Sequence, residues 1–531
     1  MGSKVIKHLV PSSSMNACVM KHDLFPLFYF GGSFVNRPGV KRQLERGESE
    51  YVNELNSMSY LQMYMFALLA EWLQGPYLFR LYADRCSFHE YQIAKLYLIS
   101  FIAGPLITPL INALQQNTRT AKFLYINVIF SVVSLAFKST CDFGFQVISS
   151  LLATAFGPAI IAYIDEWFAL ENSQLMSPGD TTSRISSKNF QHMFQVSLSL
   201  VAIMSGLIAD GFAEWLQFGN LAPFLIAILP LVLILRVHYV HSTKSKADVR
   251  SDAIRLDWLG RECVCGNGYH TRTMRCYWFA VRDTAESLFL ENLILVISSI
   301  LQSLVDCTIF VFTFSWTSIL EYTAKNKPDS LINYPLGVVF SCFMAAFAIG
   351  GTFHTILTRY GISSTKILPI CIFGISLLNF FLSQLSPWHG WIHPRVCLMI
   401  LATLNAIYGL YGPAMQHLRE NCLSLDISRC RFRISLLDCL IRTPVNLFIL
   451  FVIVIPLLPS ELQINAQTSS YHQNLLIYRF HFMNPANLFM VSMILAILAL
   501  FLCLFISRNS LFNPRSLSRD RHILVSCVPN N

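Results

Sequence analysis

The stretch YLQMYMFALLAEWLQGPYLFRL, Tyr60 to Leu81, decides the architecture of this chain. As an α-helix it is long enough to cross a hydrocarbon layer about 30 Å thick, which takes about 20 residues. Its apolar residues run continuously instead of alternating, and the run is roughly twice the length of a barrel strand, so it reads as a helix. Yet it carries Glu71, Gln74, Gly75 and Pro76, none of which a plain lipid anchor needs. An ionised side chain at the bilayer centre costs at least about 2.5 kcal/mol, so Glu71 requires a partner, a cavity or a proton.

Eleven more such runs follow, at 93–114, 123–137, 145–168, 190–209, 221–239, 290–316, 336–357, 367–385, 396–414, 434–456 and 486–506. Of the 531 residues 54% are hydrophobic and only 13% charged, a balance no soluble domain of this length tolerates. The reading is an all-α polytopic membrane protein with twelve transmembrane helices in two six-helix halves. The longest interruption, 241–288, is basic and polar. The expected domains are therefore a cytosolic tail at 1–57, a first half at 58–240, a cytosolic linker at 241–288, a second half at 289–508 and a second cytosolic tail at 509–531.

Loops on alternate sides of the spans differ in Lys and Arg content. Those on the side of both termini hold about thirty of the 39 basic residues, the opposite loops about six. Both termini are thus expected in the cytosol, at the cell membrane, and orientation accounts for the net charge of +9 without a nucleic-acid partner. The partner expected is the lipid bilayer. The 15 cysteines are scattered, so no disulfide framework is indicated. Cys263, Cys265, His270 and Cys276 match no common zinc spacing, so no metal is expected. No small-residue cleavage site follows the early apolar patch, which argues against a signal peptide. A phosphate-binding loop and a nucleophile–base pair are both missing, so neither ATP-driven transport nor enzymatic activity is indicated, and no cofactor is expected.

Several polar residues stand inside the apolar runs. Glu71 and Gln74, with Tyr77 or Leu78 a turn on, form one stripe at i, i+3 and i+7, lined up to face a cavity. Gly75 and Pro76 mark a helix break beside it, because proline removes a backbone donor. In the seventh span Gln302 and Asp306 lie at i and i+4, on a face expected to meet the first helix. Asp165, in the sequence Asp165-Glu166-Trp167 that ends the fourth span, either caps that helix or faces the cavity. Asp210 and Glu214 end the fifth span, where solvation is the expected state. Arg442 is the one cation read inside an apolar run; it either anchors an anion or pairs with Asp438 one turn earlier. Tyr408 and Tyr411 are weaker lining candidates, beside a second Gly-Pro break at Gly412 and Pro413.

Five dispersed segments now carry a resemblance: AEWLQGPYLFRLY in the first span, LQSLVDCTIFVFTFSWTSIL in the seventh, PLGVVFSCFMAA in the eighth, YGLYGPAMQHLR in the tenth and IRTP in the eleventh. Together with LAPF at the sixth span and EWF at the fourth, they resemble, in order and spacing, the molybdate-anion transporter branch of the major facilitator superfamily. The resemblance covers roughly 60–506. It implies two halves rocking about a midplane site, with a small inorganic anion, molybdate, as substrate. The superfamily's loop between helices two and three here reads PLINALQQNTRTAK, with Asn112 at its usual aspartate position. Uptake of the anion with a proton held by Glu71 or Asp306 is the expected mechanism. A non-transporting sensor or scaffold of the same fold, or a carrier of another small solute, is the alternative.

Overall fold

The computed structural model describes residues 58–118, 121–175, 197–244, 293–325, 335–384, 394–422, 438–450 and 485–508. Twelve helical segments run through these residues. In the first half, α1 spans 58–72, breaks at 73–77 and resumes as Leu78–Arg80 and a π-helical turn, Leu81–Arg85. Then come α2 (Glu90–Thr118), α3 (Ala121–Phe137), α4 (Phe143–Leu175), α5 (Ser197–Trp215, closing in a π turn at Gly211–Trp215) and α6 (Ala222–Ile226 continuing as Ile228–Lys244). The second half holds α7 (Leu293–Lys325), α8 (Leu336–Arg359), α9 (Ser364–Ser383), α10 (Pro394–Cys422), α11 (π turn Asp438–Arg442, then Thr443–Ile449) and α12 (Pro485–Arg508). Among the described residues, eight helices are long and apolar enough to cross a membrane. The outward surfaces of these helices carry exposed large apolar side chains such as Ile129, Phe373, Met399 and Phe501, which suit a lipid surround.

Several helices outrun the apolar windows. Helix α4 continues to Leu175, so Asp165 and Glu166 lie within a helix and not at its end. Likewise α2 continues as helix to Thr118, through most of the stretch read as a loop. A hydropathy window sees only the part of a helix suited to lipid, whereas backbone hydrogen bonding continues into polar sequence beyond it. The side chains of Asn112, Asp165 and Asp438 lie outside the described residues, as do His192 and the Cys263–Cys276 region.

The break in α1 is real. Leu73 N–H still bonds to Leu69, but Gln74 and Gly75 reach back only three residues, to Glu71 and Trp72. Pro76 has no N–H to give, and the helix restarts when Leu81 bonds to Tyr77. The second expected break is not present. Helix α10 runs from Pro394 to Cys422 with Pro413 inside it. One missing donor is tolerated there because α10 is held against α8 by close backbone contact: a side chain at Gly409 would strike the Phe347 carbonyl, and one at Gly350 the Ala406 carbonyl.

One end of the bundle is tied by specific contacts. Cys86, just past α1, and Cys141, in the α3–α4 turn, form a disulfide, which the scattered cysteines had not indicated. The two partners lie 55 residues apart in sequence. At the same end Tyr77 O–H meets Asp210 Oδ1 at 3.0 Å and Glu214 Oε1 at 3.3 Å, and Arg80 Nη1 donates to Glu214 Oε1 at 3.1 Å. Asp210 also accepts the Gly337 N–H at 3.2 Å, at the start of α8 in the second half. Asp210 is 2% exposed, so the solvated role expected of it is corrected: it is a buried tie between halves. Gly206 and Gly337 let α5 and α8 touch there, since a side chain on either would strike the other's carbonyl.

Candidate functional site

The stripe on α1 faces space. A cavity of about 220 Å³ lies inside the first half, walled by α1, α2, α3, α4 and α6. Glu71, Gln74 and Leu78 line it, but Tyr77 does not; it turns to Asp210 instead. Gln74 spends its amide on the Ala70 carbonyl at 2.9 Å, capping the turn before the break. Glu71 is exposed to the cavity, and its carboxylate makes no hydrogen bond or ion pair within the described residues. Opposite, Gly157 on α4 leaves room for it: a Cβ there would come 3.4 Å from Glu71 Oε1.

The far wall is α3. Ser131, Ser134 and Lys138 sit at i, i+3 and i+7 and all line the cavity. Ser134 is satisfied within a reciprocal pair: its Oγ donates to the Ser149 carbonyl and Ser149 Oγ to the Ser134 carbonyl, each at 2.8 Å. Ser131 Oγ has no partner, although the residue is only 8% exposed.

Lys138 is 4% exposed and follows the last residue of α3. Its Nζ donates to Tyr82 Oη at 2.8 Å and stands 5.2 Å from the Tyr82 ring and 5.8 Å from that of Phe224. No carboxylate partners it among the described residues. The loop that places it is held by Gln146, fully buried, whose amide donates to the carbonyls of Phe137 at 3.2 Å, Lys138 at 3.4 Å and Thr140. The apolar run ends at Phe137, so the sequence does not set Lys138 apart from a loop residue. The signal that could have found it is the Cys86 and Cys141 pair, which joins the turns that follow Tyr82 and Lys138.

The second half holds a separate polar cluster. Asp306 on α7 pairs with Arg442 Nε on α11, and Gln302 Oε1 accepts from Arg419 Nη1 on α10 at 2.6 Å. The Gln302–Asp306 face therefore meets α10 and α11. Ser303 Oγ adds a bond to the Arg442 carbonyl at 3.3 Å. Tyr408 pairs with Thr308 at 3.2 Å, while Tyr411 O–H, buried on α10, has no partner. None of these residues lines the first-half cavity, so Glu71 and Asp306 are not brought together there. Among the described residues, no cluster of acidic, His or Cys side chains could hold a metal ion.

Comparison with known proteins places this geometry. A family model described as sugar transporters with 12 transmembrane segments matches residues 41–253. The molybdate-anion transporter of Takifugu rubripes is 25% identical over 393 residues, covering 72% of this chain and 78% of its own. That of Danio rerio is 26% identical over 399 residues, covering 72% and 77%. Among solved structures, a POT family peptide transporter in an auto-inhibited state superposes with a TM-score of 0.57 at 11% identity, covering 85% of this chain and 96% of its own. A mutant form of the nucleoside transporter NupG gives 0.56 at 11% identity, covering 85% and 99%. Such low identities speak for the fold alone. The twelve helical segments among the described residues have the fold of the superposed transporters, and the chain is similar in sequence, over 72% of its length, to the molybdate-anion transporters.

Proposed function

We propose that this chain carries molybdate or a related tetrahedral oxyanion across the cell membrane by alternating access, with Glu71 as the site of a co-transported proton. The observation that carries the reading is the Glu71 carboxylate, which faces the cavity without a hydrogen bond or ion pair among the described residues. Asp306, the other acid considered, is matched by Arg442, which leaves Glu71 as the group free to exchange a proton. An anion entering a cavity that holds an ionised Glu71 meets repulsion; with Glu71 protonated, that repulsion is gone. Inward movement of the anion is thereby tied to inward movement of a proton.

Both termini are assigned to the cytosol on two grounds. Basic residues collect on their side, and the Cys86–Cys141 disulfide belongs on the opposite, oxidising side. The test is uptake of labelled molybdate by cells carrying the wild-type chain or Glu71→Gln. The wild type is expected to take up more as external pH falls, and Glu71→Gln to lose that stimulation. Undiminished acid stimulation in the variant would sink the coupling. Counterflow in proteoliposomes with a panel of oxyanions and organic solutes fixes the substrate class.

A further inference from the structure

The cavity wall opposite Glu71 offers more hydrogen-bond donors than the described residues supply acceptors for. Lys138 carries three N–H bonds, and among the described residues only Tyr82 accepts from it. Because Tyr82 Oη accepts that bond, its own proton is left to donate, and it has no acceptor among the described residues. Ser131 O–H is likewise unpartnered. All three side chains line the same cavity. A buried ammonium whose only compensation is one hydroxyl and two ring faces is expensive in a low-dielectric interior, and a bound anion would supply what is missing.

The spacing suits one small anion. Ser131 and Lys138 are two helical turns apart, about 10 Å along the axis, and both line the same cavity. Tyr82 closes the set from α1. The disulfide one turn beyond Tyr82 and three residues beyond Lys138 joins the two strands of chain that carry this contact.

We propose that Lys138, the Tyr82 hydroxyl and the Ser131 hydroxyl form the anion-binding site, built within the first half alone. The class of ligand is a small oxyanion, bound through charge-assisted hydrogen bonds to Lys138 and neutral ones to the two hydroxyls. The proposal rests on the reading of the chain as an oxyanion carrier and assigns the recognition that Arg442, engaged with Asp306, does not provide.

The test is equilibrium binding of labelled molybdate to the purified full chain in lipid nanodiscs, for wild type, Lys138→Met, Lys138→Arg and Ser131→Ala. Lys138→Met is expected to weaken binding at least about tenfold, the scale of one charge-assisted hydrogen bond. Lys138→Arg should retain binding, and Ser131→Ala should weaken it by a smaller factor. Ser131→Ala removes a hydroxyl that bonds to nothing among the described residues, so the variant is expected to fold and it decides the matter should Lys138→Met fail to fold. Wild-type binding left undiminished by Lys138→Met or by Ser131→Ala overturns this site and leaves the carrier reading standing. Absence of wild-type binding to molybdate, sulfate and phosphate alike overturns the carrier reading itself, and this site with it.

Discussion

At Asp306 the decisive fact is its neighbour. The residue is 7% exposed and its carboxylate faces the Arg442 guanidinium, so replacing one residue takes this pairing from the other. Breaking a fully buried pair costs about 3 kcal/mol, a ceiling here because the Arg442 side chain is 21% exposed, whereas removing both charges costs far less. Asp306→Asn is therefore expected to lower the thermal unfolding midpoint, followed by intrinsic fluorescence in nanodiscs, and Asp306→Asn with Arg442→Gln to regain part of the loss. Strictly additive losses would show that the two do not act as a pair. Glu71 and Arg442 were legible as sequence, because a charge within an apolar run is conspicuous. The Arg442 partner was not: whether Arg442 turned to Asp438 or to Asp306 depends on which helices pack together, which no local spacing encodes. Lys138 was illegible for a different reason, since a lysine at the end of an apolar run looks like any interfacial lysine until a neighbouring loop covers it.

The helices themselves were more legible than their ends. Continuous apolar runs give the number and order of spans because the lipid environment imposes them, but Glu90–Thr118 and Phe143–Leu175 extend past what lipid requires. Gly75-Pro76 and Gly412-Pro413 are alike as sequence and differ in outcome, since only the second lies in a helix clamped along its length by a neighbour. The α5–α8 crossing shows what a glycine does at such a contact. Gly337 lies against the Gly206 carbonyl and the backbone of Asp210, leaving no space for a side chain. Gly337→Val penalises this arrangement by about 1 to 3 kcal/mol, the usual cost of overpacking. Molybdate uptake is expected to fall about tenfold at unchanged surface expression, the effect of roughly 1.4 kcal/mol on one state of the cycle. Normal uptake would mean that α5 and α8 need not close at this end.

Across the whole molecule, the charge bias and the covalent tie make one claim about orientation. If the α1–α2 and α3–α4 turns face outward, Cys86→Ser frees a Cys141 thiol that a membrane-impermeant maleimide labels on intact cells, above the level seen with the wild type and lost again in Cys86→Ser with Cys141→Ser. Labelling of the variant only after permeabilisation would reverse the topology. The tie also joins the turns that follow Tyr82 and Lys138, so on that orientation this corner of the protein is completed only after both turns have been exported and oxidised. Production follows from that. Cell-free synthesis without an oxidant, or purification in excess thiol reductant, would deliver a chain of correct mass and helix content whose lysine lid is unfastened, and ligand screens on such material would under-report affinity.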